Sequence, residues 1–138
     1  MNDEILKSIR DTLKNDSALL GYIGSSDRIY YHIAPVTPSI PCIAMALSEK
    51  PDEEMDSFGK IHLELELSVY DSDYDNLSDI LERLDALLFD KRFTTANWAV
   101  KYFKRIFASD EKSDFVKDGN PVVKRLTRWN LRAYKKNA

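Results

Sequence analysis

The run Asp71-Ser72-Asp73-Tyr74-Asp75-Asn76, followed by Asp79 and Glu82, has the clearest capacity for chemistry in this chain. Carboxylates at alternate positions match much of a calcium loop, in which oxygen ligands encircle a hard cation. The match is incomplete: Asn76 stands where such a loop needs glycine, Ser78 where it carries an apolar residue, and a strand pattern precedes it. Ser72 or Asp73 also serves as the N-cap of a helix whose apolar side is Tyr74, Leu77, Ile80, Leu81 and Leu84. A chain wound into a helix there cannot also wrap an ion, so capping is the expected use of these acids. His32 and His62 are the only histidines, and neither has Cys, His or carboxylate neighbours at a zinc spacing. Glu64 and Glu66 share one strand face with His62, as surface carboxylates do. No Ser/His/Asp arrangement, no phosphate-cradling glycine loop and no redox cysteine pair is present. The expectation is a protein with no catalytic residue, no cofactor and no metal.

A different constellation joins cations to aromatics. Trp98, Tyr102, Phe103, Lys104, Arg105 and Phe107 form either a stacking platform for nucleic acid or, on strand parity, core on one side and rim on the other. Lys124, Arg128 and Arg132 recur every four residues, opposite in parity to Val123, Thr127, Trp129 and Leu131, so a strand places the three cations on one surface. Asp52, Glu53 and Glu54 lie in an acidic, unpatterned stretch, 49–57, which reads as an exposed loop. Lys124, Arg128, Arg132, Lys104, Arg105, Asp52, Glu53 and Glu54 are the candidates for contact with DNA or with another subunit.

The elements that must position them follow from periodicity. Over 60–88, the alternation Ile61, Leu63, Leu65, Leu67, Val69 gives way to helical spacing at Leu77, Ile80, Leu81, Leu84, Leu87 and Leu88: a long strand feeding a helix. Ile5, Leu6, Ile9 and Leu13 predict an amphipathic helix over Asp3–Lys14. Leu19, Leu20, Tyr22 and Ile23 form a short apolar patch ending in the turn cluster Gly24-Ser25-Ser26-Asp27, and Ile29-Tyr30 reads as a short strand. Pro35, Pro38 and Pro41 predict an extended connector into a strand over 41–48. Strands are expected over 97–108 and 121–134, joined by a long polar loop over 109–120. The order gives an α+β fold: an antiparallel or mixed sheet of four to five strands with two helices packed on one face.

The chain has 138 residues, 43% of them apolar, which fits one domain spanning 1–138. Its net charge of −3 is unevenly spread. Residues 1–90 hold 7 Lys and Arg against 19 Asp and Glu, a balance of −12; residues 91–138 hold 13 against 4, a balance of +9. That asymmetry fits a nucleic-acid surface, complementary faces on identical subunits arranged head to tail, or plain solvation within one fold. The single cysteine, Cys42, sits in an apolar run, which excludes a disulfide within the chain and fits a reducing cytoplasm. An acidic N-terminus and the lack of a long apolar run argue against secretion and membrane insertion.

The layout has a familiar counterpart. Its words are the N-terminal helix and apolar patch up to Gly24, then Arg28-Ile29-Tyr30, Ala34-Pro35 and Ile40-Pro41-Cys42-Ile43. They continue with Leu67-Ser68-Val69-Tyr70-Asp71-Ser72, the helix to Leu88, and Arg128-Trp129-Asn130-Leu131. Across nearly its whole length the chain resembles the tail-terminator and tail-completion (tail-to-head joining) proteins of long-tailed bacteriophages. The resemblance implies a structural virion protein of the tail neck that assembles in the host cytoplasm as a homo-oligomeric ring, typically a hexamer. Its partners would be the tail tube protein and the head-tail connector or adaptor, with genomic DNA passing through the lumen without sequence specificity and no membrane involved. A head-completion or connector adaptor is the alternative in the same particle; a cellular nucleic-acid-binding module using the basic strand face is the alternative outside it.

Overall fold

The computed structural model describes residues 3–31, 39–50 and 59–136. Each helix forms where an apolar stripe recurs at helical spacing, and the second and third begin at a cap. In α1 (Asp3–Lys14), Ile5, Leu6, Ile9 and Leu13 are buried, with Asp3 and Glu4 in the first turn and Lys14 in the last, as the helix dipole favours. α2 (Ser17–Ile23) starts at Asp16, whose carboxylate accepts from the Leu19 amide at 2.9 Å. It stops at Gly24, whose φ of 93° is a left-handed conformation that glycine adopts without strain. α3 (Tyr74–Leu88) is capped by Asp73 and buries Leu77, Ile80, Leu84 and Leu88.

A 3-10 turn (Ser26–Arg28) leads into β1 (Ile29–Tyr31), followed by β2 (Cys42–Lys50), β3 (Lys60–Asp71), β4 (Phe93–Thr94), β5 (Trp98–Lys117) and β6 (Asn120–Lys135). They make one six-stranded sheet in the order β1-β2-β3-β6-β5-β4. β1 runs parallel to β2 and every other pairing is antiparallel. The register sorts side chains by parity. On one face Leu63, Leu65, Leu67, Val69, Phe103, Trp129 and Leu131 join the apolar sides of all three helices in a single buried cluster. Trp129 and Phe103 meet edge to face at 5.8 Å, and the indole N–H donates to Thr127 Oγ1 at 3.0 Å. Thr127 in turn donates to the Leu67 carbonyl at 2.9 Å, so the polar atoms brought into this core are paired.

Several expectations need correction. The described residues form six strands rather than four to five, and three helices rather than two. The apolar patch at Leu19 to Ile23 is the extra helix, short enough for its period to be hard to see but fixed by the Asp16 and Gly24 caps. The expected loop over 109–120 does not exist. β5 continues to Lys117 and turns into β6 through Asp118 and Gly119, at φ 51° and 78°. Two consecutive left-handed residues match the twist of a tight hairpin, and an Asp-Gly pair is the sequence that favours it. Polar composition concealed a strand that runs along the sheet margin, where polar side chains meet water. Of the stretch 49–57 expected as a loop, Glu49 and Lys50 end β2; the rest, with Asp52, Glu53 and Glu54, lies outside the described residues, as do His32, Pro35 and Pro38.

Candidate functional site

The acids at 71–76 build a helix start. Asp71, buried, accepts from the Ser72 amide at 2.8 Å and from Asn76 Nδ2 at 2.7 Å. Asp73 accepts from the amides of Asp75 and Asn76 at 2.9 and 3.3 Å. Asn76 also donates to the Tyr22 carbonyl at 3.2 Å, tying α3 to α2. These oxygens converge on backbone donors, and among the described residues no cluster of His, Cys, Asp or Glu is arranged to hold a metal.

The candidate surface is the sheet face turned away from the helices. It carries Ala46, Ser48 and Lys50 of β2, His62, Glu64 and Glu66 of β3, Lys124, Arg128 and Arg132 of β6, and Tyr102 and Lys104 of β5, set side by side by the strand register. One corner is closed by the end of the β5–β6 hairpin. A register shift between Lys112 and Val116 bends that end toward the face, where Phe115 meets Tyr70 edge to face at 5.4 Å over Ile40, Cys42 and Val122. Lys117 Nζ donates to the Ile40 carbonyl at 2.9 Å and holds the corner down. Burial there pushes the Cys42 thiol up to about 12 and raises the Tyr70 phenol from its ordinary value.

The middle of the face is balanced. Arg128 lies between Glu64 at 3.8 Å and Glu66 at 3.9 Å, Lys50 reaches Glu64 at 3.5 Å, and Lys124 reaches Glu111 at 4.0 Å. The end beyond it is not. Arg132 stands over the Tyr102 ring at 4.8 Å and Lys104 over the same ring at 5.5 Å, while Lys101 and Lys60 stand over Tyr134 at 5.5 and 6.0 Å. None of these four cations has a carboxylate within ion-pair distance among the described residues.

The structure therefore divides the sequence candidates. Lys124, Arg128 and Arg132 do share one face. Lys104 joins them, but Arg105, its neighbour, points into the helix layer and grips Asp85 of α3 with Nε and Nη at 3.0 and 3.1 Å. Of the aromatics, Phe103 is core, whereas Phe107 is 42% exposed under the Arg128 guanidinium at 5.1 Å. Lys60, Lys101 and Tyr134 were not singled out from the sequence. Continuing the β6 alternation from Arg128 through Arg132 one step further reaches Tyr134, and its β3 partner is Lys60.

In the helix layer the ion pairs are tight. Arg83 donates twice to Asp16, at 2.8 and 2.6 Å, and Arg125 twice to Asp110, at 2.7 and 3.0 Å. These guanidinium bonds hold both carboxyls below the usual carboxylate range.

An α+β fold with one face of its sheet under helices and the other uncovered is the class of protein this geometry defines. No family model and no curated protein matches the sequence. Solved structures do match the fold. One, described as the virion of a native gene transfer agent particle, superposes with a TM-score of 0.66 at 13% identity, over 93% of this chain and 92% of that one. A second, bearing only a serial designation, gives 0.57 at 11% identity over 95% of both chains. At such identities the likeness shows a shared fold. No helix among the described residues is long and apolar enough to cross a membrane.

Proposed function

We propose that this protein is a structural component of a phage-like virion, and that it acts by docking rather than by catalysis. The observation that carries the reading is the fold match along nearly the whole of both chains to a protein of a gene transfer agent virion. Within the particle, the proposed role is that of a tail terminator: a ring, hexameric in the family resembled, that ends the tail tube and joins it to the head connector, with DNA passing through. The −12 and +9 portions of the sequence interleave in one sheet and partly pair within a copy, as Arg128 with Glu64 and Glu66 and Arg105 with Asp85, so the charge left for a contact between copies is what these pairs do not use. A sheet face half balanced and half cationic supports a partner outside the monomer.

The test is assembly. Light scattering behind size exclusion and negative-stain images of the purified protein, alone and with tail tubes, are expected to show rings that seat on tube ends. A protein that stays monomeric at high concentration and leaves tube ends bare would overturn the proposal. Seating on the head connector without affinity for tubes would replace the terminator role with that of a head-completion adaptor.

A further inference from the structure

Among the described residues, two surfaces hold unpaired charge of opposite sign, and the fold keeps them apart. On the uncovered sheet face, Lys60, Lys101, Lys104 and Arg132 gather over Tyr102 and Tyr134. Tyrosine rings hold cations in place without neutralising them, so among the described residues the patch keeps its positive charge. On the far side of the helix layer, Asp75, Asp79 and Glu82 are exposed at helix spacings that put them on one stripe of α3. Their helix buries Leu77, Ile80, Leu84 and Leu88 toward the sheet, so the carboxylates point away from it. Asp79 and Glu82 line a groove of about 250 Å³ between α2 and α3, together with Ala18, Tyr22, Ala86 and Arg83, whose guanidinium is held by Asp16.

We infer that the cationic end of the sheet face is the docking surface for a second copy of this chain, received through the acidic stripe of that copy's α3. The inference rests on the ring reading and names its subunit contact. Within one copy the sheet and the helix layer keep these two charge sets apart, and a second copy brings them together. The contact joins two different surfaces, hence it is head to tail and repeats into a ring or a filament rather than closing as a twofold dimer. With Arg83 paired to Asp16, the Asp79 and Glu82 carboxylates are the groove's unpaired charges among the described residues, and beside Ala18, Tyr22 and Ala86 they suit the aliphatic stem and charged head of Lys or Arg. Nucleic acid fits the patch less well: cations already stand over Tyr102 and Tyr134, whereas a base-stacking platform needs its ring faces open.

Charge reversal with rescue tests it. Lys104→Glu with Arg132→Glu, and separately Asp79→Lys with Glu82→Lys, are each expected to raise the concentration needed for assembly by about tenfold or more. The four changes combined restore the attraction with signs exchanged, and assembly is expected to recover. Circular dichroism and thermal midpoints of each variant check that the exposed substitutions leave the monomer folded. Rings that form equally well in both reversed variants would overturn the inference and leave the ring reading standing; so would a combined variant that folds but does not recover. Filaments or open chains that respond to reversal and rescue would support the contact and remove the ring. A wild-type protein that never self-associates would sink both. A labelled DNA duplex is the competing probe: binding lost in Lys104→Glu with Arg132→Glu, with assembly unchanged, would give the surface to nucleic acid instead.

Discussion

In the helix layer Arg83, Arg105 and Arg125 each grip a carboxylate through two nitrogens, at 2.6–3.1 Å, whereas on the uncovered sheet face Arg128 reaches Glu64 and Glu66 only at 3.8 and 3.9 Å. The same residue types serve two ends. A forked guanidinium-carboxylate pair fixes geometry, and here it links α3 to α2, α3 to β5 and β5 to β6 where these elements must sit in one arrangement. Loose pairs and cations over rings fix little, and they leave charge available to a partner. The helix side of the sheet is thus specified for folding, and the other side is free to be specified for contact.

Substitutions sharpen or break that contrast. The largest effect is expected at Trp129→Ala, which removes a fully buried indole from against Phe103 and should cost about 3–5 kcal/mol in a urea titration. Asp16→Ala comes next at about 1–2 kcal/mol by the same measurement, because it takes away both the α2 cap and the partner of Arg83. The same contacts predict an acid limb. Asp16 and Asp110 have carboxyls lowered in the folded state, so their contribution is complete above the unfolded carboxylate pKa of about 3.9 and is lost as pH falls through their folded values. Urea midpoints should therefore be level near neutrality and fall in strong acid, and less steeply in Asp16→Ala. Gly119→Ala places a Cβ at φ 78° in open space, so strain alone applies, at about 1 kcal/mol. The smallest effect is expected at Arg128→Ala, within about 0.5 kcal/mol for the monomer, since its ion pairs are long and its side chain is half-buried, 43% open to water. A loss of more than about 2 kcal/mol there would mean that the uncovered face is part of the folding core and would end the contrast.

Much of the architecture was legible because two periods differ. The switch at Asp71 from alternating Leu63, Leu65, Leu67, Val69 to helical Leu77, Ile80, Leu84 marks β3 and α3, and α1 reads in the same way. Capping at Asp73 was legible too, from a carboxylate placed just before the helical pattern. What failed were segments whose pattern is set by neighbours. Residues 109–117 carry charges because that part of β5 lies at the sheet margin, and only Asp118-Gly119 announced the hairpin. The seven-residue α2 is too short for a reliable period and depends on packing against α3.

The residues by themselves determined which positions face which side of a strand or helix, because side-chain direction follows backbone period, and so Lys124, Arg128 and Arg132 had to share a surface. Whether each cation on that surface would be balanced was a question only the tertiary structure decided. Arg105 and Lys104 are adjacent in sequence, yet one meets Asp85 of α3 on the helix side of the sheet and the other lies over Tyr102. Strand register and the placement of α3 set those distances, and interactions between charges depend on distance rather than on order along the chain.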